Sequence, residues 1–283
     1  MKARFLRRIV GPVLGASLGL VATAPVANAQ DVELGTSDVA ELTFVLNAGN
    51  ASSSTFGVKN TLDHLWESAS FQLAFGGVRT SSTQRSGEAT GSTTSFTPVE
   101  SAGVTAANYF IRSRYDRTIS DAAYIFGGAG WDRNTFAGIE NRYSFVSGTG
   151  RTWFATDTKR FKTDIGATYT LQNDVTPTPG ASDGFLGVRG TWDYANQVTE
   201  TTTFASVLIV DENLNDTEDL RADFTNSLAV SMSDRMALKI SYQMLFDNLP
   251  SLESFTLLGS GTPVTRDLKS LDSVFTVALV VNF

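Results

Sequence analysis

Ser273-Val-Phe-Thr-Val-Ala-Leu-Val-Val-Asn-Phe283 is the stretch whose reading decides the fold. An extended backbone sends successive side chains to opposite faces, so Phe275, Val277, Leu279, Val281 and Phe283 share one face and Thr276, Ala278, Val280 and Asn282 share the other. The first face is an unbroken apolar stripe that ends on an aromatic ring. Such a stripe suits lipid, and it sets the test for the rest of the chain: the same period of two should recur, with polar or charged partners opposite it.

Working upstream, it does. Leu238, Ile240, Tyr242 and Met244 stand opposite Lys239, Ser241 and Gln243, and Phe224, Leu228, Val230 and Met232 opposite Arg221, Asp223, Thr225 and Ser227. Leu186, Val188, Trp192 and Tyr194 alternate with Arg189, Thr191 and Asp193, and Ile165, Ala167, Tyr169 and Leu171 with Lys162, Asp164, Thr168 and Thr170. Tyr143 and Phe145 oppose Glu140, Arg142 and Ser144; Tyr109, Ile111 and Tyr115 oppose Arg112 and Arg114, with Phe110 breaking the pattern on the polar side. Near the start, Leu42, Phe44, Leu46 and Ala48 oppose Glu41, Thr43 and Asn47. Ala122, Tyr124 and Phe126 open a strand that runs through Gly127, Gly128 and Gly130 to Trp131, and the register of 202–211 is ambiguous.

Mean hydropathy is −0.04, a value typical of a soluble protein, because lipid-facing and inward-facing residues cancel in the average. Counting the alternating segments predicts an all-β, transmembrane antiparallel β-barrel of about 12 strands. An even strand number returns both termini to one side of the membrane. The connections sort accordingly. Residues 80–100, 172–184 and 247–272 form long Ser/Thr/Gly/Pro/Asp-rich loops at one end, while 116–121, 195–199 and 233–235 are tight turns at the other. One turn-end connection, near 150–160, reads longer than that rule allows. Aromatics fall toward strand ends, with Trp66, Tyr115, Tyr124, Trp153, Tyr194 and Phe283 at the turn end and Phe75, Tyr109, Trp131 and Phe246 at the loop end, as interfacial girdles require.

The first residues give the address. Lys2, Arg4, Arg7 and Arg8 precede an apolar run from Ile9 to Val26 and the small-x-small site Ala27-Asn28-Ala29, so residues 1–29 are expected to be a cleaved secretory signal. Residues 30–37 are expected to form a short periplasmic segment and 38–283 the barrel. Of 22 Lys and Arg, four lie in the leader, leaving 18 against 29 Asp and Glu, a balance of −11. That charge argues against nucleic acid as a partner. The chain has no Cys, which excludes thiolate metal sites and a lipoprotein anchor.

The terminal stripe resembles the C-terminal strand by which bacterial outer-membrane barrels are recognised and inserted. A closer resemblance rests on Glu41-Leu-Thr-Phe-Val-Leu-Asn-Ala-Gly-Asn50 with its following Ser/Thr cluster, Trp131-Asp-Arg-Asn-Thr-Phe-Ala-Gly138, and Ala237-Leu-Lys-Ile-Ser-Tyr242 before Asp247-Asn-Leu-Pro250. Over roughly 38–283 these look like the YdiY-type family of salt-induced outer-membrane proteins, a family whose domain has no known function. The resemblance implies a bacterial outer-membrane location, lipid and lipopolysaccharide as surroundings, and the barrel-assembly machinery as a partner through Phe275, Val277, Leu279, Val281 and Phe283. It implies nothing about activity.

Enzymatic chemistry finds little support. The one histidine, His64, falls in a turn at the end away from the lipopolysaccharide leaflet, where lipid or protease chemistry would need a base. No cofactor or metal is expected: 211–219 lacks the glycine-spaced ligand loop of a calcium hand and reads as a solvated acidic loop. The informative residues are the charges on the inward face, Glu41, Arg112, Arg114, Glu140, Arg142, Lys162, Asp164, Arg189, Asp193, Arg221, Asp223 and Lys239. Twelve strands about 4.8 Å apart and tilted about 40° close to a backbone radius of about 12 Å, which side chains narrow further. These charges line either a narrow passive, porin-like pore for ions or small solutes, or a barrel filled with salt bridges, for which the family resemblance implies a structural, envelope-integrity role under salt or osmotic stress.

Overall fold

The computed structural model describes residues 34–48, 53–177 and 183–283, so the expected signal sequence lies outside the described residues. Fourteen strands follow one another: β1 (Gly35–Ala48), β2 (Ser53–Leu65), β3 (Ala69–Ser92), β4 (Ser95–Thr118), β5 (Ala123–Asn134), β6 (Ile139–Ala155), β7 (Lys159–Asp174), β8 (Gly184–Gln197), β9 (Thr202–Asn213), β10 (Leu220–Ser231), β11 (Met236–Asp247), β12 (Leu252–Leu257), β13 (Pro263–Asp267) and β14 (Leu271–Asn282). Twelve of them, β1 to β11 and β14, pair antiparallel with their neighbours in chain order. β14 then pairs with β1 from Val39↔Asn282 to Ala48↔Ser273 and closes the cylinder, which removes the open edges that no lipid could satisfy.

The wall shows why the period of two specifies this shape. Along β14, Thr276, Ala278, Val280 and Asn282 are buried inside while Phe275, Val277, Leu279, Val281 and Phe283 face out. Leu238, Ile240 and Tyr242 of β11 and Ile165, Tyr169 and Leu171 of β7 are likewise exposed, as lipid contact demands. In the ambiguous segment, Thr203, Ala205, Val207 and Ile209 of β9 turn inward. Trp66, Tyr115, Trp153 and Phe283 are exposed toward the turn end, and Phe75, Tyr109 and Phe246 toward the other.

Connections at the turn end are three or four residues long, 66–68, 119–122, 156–158, 198–201 and 232–235. Serine or threonine hydroxyls close them: Ala123 N donates to Ser120 Oγ, Lys159 N to Thr156 Oγ1 and Met236 N to Ser233 Oγ. The connection expected to be long near 150–160 is therefore short, because β6 runs on to Ala155. β1 begins at Gly35, so residues 35–37 of the expected periplasmic segment belong to the wall.

The other end departs from the sequence reading in two places. Residues 80–100 are not a loop but the upper part of a hairpin in which β3 and β4 each run 24 residues. Thr favours extended backbone, and the Ser/Thr/Gly-rich sequence offers no apolar alternation to read. Register shifts between Arg79 and Ser81 and between Arg85 and Ala89 bend this hairpin. Within 247–272 lies a second hairpin, β12–β13, whose Thr256 and Leu257 pair in parallel with Glu88 and Ala89 of β3 above the point where β2 leaves that edge. Phe255, Leu257 and Val264 bury against Ala89, and Phe255 meets the Phe96 ring at 5.8 Å.

This second hairpin spans the mouth. Counted around the ring of twelve, the β5–β6 tip and the β11–β14 connection are six strands apart and so face each other across the opening. Gly138, in the left-handed region at φ 75° on that tip, nevertheless lies against Ser251 and Leu268. Leu268 N donates to Ser251 O at the base of the hairpin. A side chain at position 138 would be both strained and obstructed.

Candidate functional site: the charged interior

Inward positions of neighbouring strands stack into tiers, and each tier pairs cations with carboxylates. Glu41 of β1 sits between two ammoniums: Lys59 Nζ of β2 donates to Oε1 at 3.3 Å, and Lys239 Nζ of β11 to both carboxylate oxygens at 3.1 and 3.0 Å. The three side chains are 4%, 2% and 2% exposed, so they are almost wholly shielded from solvent. Nearby, Arg112 pairs with Asp132, its guanidinium stacked 4.7 Å from the Phe110 ring centre.

Toward the turn end, Arg114 of β4 bonds Asp116 at 2.7 Å and crosses to Asp164 of β7 at 2.9 Å. Tyr124 donates its hydroxyl to the same Asp164 at 3.3 Å. Its ring carries Lys162 at 5.4 Å, and the Phe126 ring carries Arg114 at 4.1 Å. Tyr124 and Phe126 therefore point inward, against the girdle position expected for Tyr124. Glycine makes room for them: a Cβ at Gly150 would collide with the Tyr124 ring, and one at Gly166 would meet Phe126 Cζ at 3.0 Å. Arg160 of β7 pairs with Asp193 of β8 through Nη2 at 3.0 and 2.9 Å.

Toward the long loops, Arg189 forms a two-pronged pair with Asp211 at 2.7 and 2.8 Å, and Arg221 another with Asp219 at 2.7 and 2.9 Å, with Asp247 3.6 Å away. Asp211 and Asp219, expected in a solvated loop, are thus held by inward arginines. Gln172 Oε1 accepts from Arg142 Nε at 2.7 Å and from Arg221 Nη1 at 3.2 Å. Asp223 accepts two bonds from Gln243 Nε2 and one from Thr225.

Of the twelve charges expected on the inward face, Glu140 alone lies elsewhere. It is exposed beside Arg133 at 3.7 Å, because register shifts flank it, between Asp132 and Asn134 and between Ile139 and Asn141. A bulge flips side-chain parity at the strand end. Lys59, Asp116, Asp132 and Arg160 are inward charges the sequence reading passed over; strand boundaries placed two or three residues further out would have included Arg160 and Asp116.

A profile of a protein family of unknown function, DUF481, matches residues 40–283. The chain belongs to the DUF481 family. The match covers the whole wall of the barrel except the first five residues of β1. No curated protein matches this DUF481 chain. Among solved structures, the NanC porin aligns over 86% of this chain and 98% of its own at 12% identity and a TM-score of 0.52. The KdgM porin in complex with disordered oligogalacturonate aligns over 87% and 99% at 6% identity and 0.45. The translocator domain of the autotransporter NalP from Neisseria meningitidis aligns over 90% of each chain at 13% identity and 0.46. The NanC alignment, at so low an identity, speaks for the barrel fold of the DUF481 chain and for nothing finer.

Proposed function

We propose that this protein is a porin-type barrel of the bacterial outer membrane, a narrow passive pore for ions or small solutes. The observation that carries this reading is the inward face, where charged tiers of both signs continue from the turn end to the long loops. A barrel that needed only to be filled could be filled with apolar side chains, as Ala205, Val207 and Ile209 fill it locally, and replacing buried ion pairs in that way is often neutral or stabilising. The charges therefore call for a reason beyond packing, and a water-facing path for solutes supplies one.

Orientation follows the same reading: long-loop end outward, turn end and both chain ends in the periplasm, residues 1–29 removed on export, and β14 presented to the barrel-assembly machinery. No catalytic role is assigned. His64, the single histidine, accepts or donates a hydrogen bond with Thr36 Oγ1 at 2.7 Å and lies 4.3 Å from the Trp66 ring at the turn end.

A structural, envelope-integrity role is the second reading, favoured by the Glu41–Lys59–Lys239 triad, which is almost wholly buried. Planar-bilayer recording on the purified chain separates the two. Discrete current steps whose ion selectivity changes on Arg112→Gln or Arg142→Gln support the pore, and the absence of steps at any applied voltage overturns it in favour of the structural role.

A further inference from the structure

Arg142 differs from every other buried arginine described above. It is 5% exposed, yet among the described residues no carboxylate comes within ion-pair distance of it, and its one hydrogen-bond partner there is the neutral oxygen of Gln172. Among the described residues only Nε is engaged, and neither Nη group meets a protein acceptor. A buried guanidinium whose nearest carboxylates, Asp247, Asp132 and Asp219, act on it without direct contact is costly, since a hydrogen bond to a neutral amide replaces only part of its hydration. Gln172 compounds the imbalance by drawing a second guanidinium, Arg221, onto the same oxygen.

Those groups have somewhere to point. Arg142, Arg189 and Arg221 line a small chamber of about 20 Å³, room for one or two water molecules, in the half of the lumen nearer the long loops. Ser144, Thr168 and Thr170 contribute hydroxyls and Phe185 a ring face, over which Arg221 stacks at 5.4 Å. The chamber wall also contains three carboxylates, of which Asp211 and Asp219 are each engaged by a two-pronged bond to an arginine, and Glu212 is the third. Arg189 keeps a third nitrogen, Nη1, that is buried and without any partner. The unmatched donors are therefore all cationic, and hydroxyls able to bond an oxygen flank them.

We propose that this chamber is a binding site for a small carboxylate, held in a fork by the two Nη groups of Arg142. A guanidinium edge and a carboxylate edge match in spacing and charge, so the pair forms two parallel short bonds. Ser144 and Thr170, on the inward faces of β6 and β7, stand where they bond the outer lone pairs of the same anion. The site deepens the pore reading by naming a solute class, but binding does not require conduction, and the two are measured apart.

The test is an equilibrium titration of the full chain, refolded in detergent, with ¹³C-acetate at low ionic strength, read by ligand NMR. Saturable binding at one site is expected, weakened at least tenfold in Arg142→Gln and partly restored in Arg142→Lys. Heat-modifiable gel mobility establishes that each variant has closed its barrel, and Ser144→Ala serves as a milder second variant with a severalfold loss. Unsaturable acetate uptake by the wild type, or equal affinity in a folded Arg142→Gln, overturns the site. Arg142-dependent binding of inorganic phosphate with no binding of acetate overturns the carboxylate assignment. A wild type that binds acetate but passes no current keeps this inference and removes the pore, and the reverse result does the opposite.

Discussion

At the level of single residues, the interior is a set of charges whose cost depends on who is removed. Glu41 holds two ammoniums, so Glu41→Gln removes the carboxylate that Lys59 and Lys239 share in an almost wholly buried space. Breaking a buried pair in this way costs about 3–5 kcal/mol, whereas replacing all three by Leu and Met of similar volume costs little or nothing. Urea unfolding of the refolded barrel, followed by tryptophan fluorescence, should show the single variant less stable than the triple one. Residue identity was legible where the two faces differ in kind: Arg112, Arg114, Arg189, Asp193 and Lys239 each stand opposite greasy neighbours. It was illegible in β5, where Tyr124 and Phe126 point inward and Ile125, Gly127 and Ala129 face lipid. There the larger apolar groups occupy the inner face, made tolerable by Gly150 and Gly166 opposite, and hydrophobicity alone assigns the parity backwards.

At the level of elements, two strands carry separable consequences. β14 meets lipid through Leu279, near the middle of the stripe, while Phe283 sits at its end. Leu279→Arg should cost about 2–4 kcal/mol on folding into vesicles and Phe283→Arg about 0–1, the gradient expected from depth in the bilayer. Equal losses at both positions would place the membrane elsewhere on the barrel. The β12–β13 hairpin is anchored by Phe255, 2% exposed among Ala89, Leu257 and Val264. Phe255→Ala removes about 3–5 kcal/mol of burial from a small local cluster, more than so short a hairpin retains. Hydrogen exchange across 252–267 should therefore rise by orders of magnitude, with exchange in β9 and β10 unchanged. Nothing in the sequence announced this hairpin, because Leu252-Glu-Ser-Phe-Thr-Leu257 has one buried face only once the β3–β4 hairpin bends toward it, and that contact joins residues more than 150 apart. By contrast the twelve wall strands were legible one by one, since each pairs mainly with its neighbour in sequence and meets the same solvent on the same side.

At the level of the whole molecule, two obstructions stand in series along one path. The β12–β13 hairpin crosses the mouth from the β11–β14 side to Gly138, and deeper down Arg112, Asp132, Arg114 and Arg160 are each 5% exposed or less. Flow through resistances in series is governed by the narrower one. Groups this little exposed mark a section with little standing water, whereas a hairpin resting on a rim leaves gaps at its sides. The deeper tier is therefore the controlling section. Excising 249–269 should leave unitary current within about twofold of the wild type, whereas combining that excision with Arg114→Ala and Arg160→Ala should raise it severalfold, because truncating these arginines opens the interior at the height where Asp164 and Asp193 now hold them. Both variants must first retain heat-modifiable mobility, which reports a closed cylinder. A severalfold rise from the excision alone would put the narrow section at the mouth and make the hairpin, not the ion pairs, the element that decides what passes.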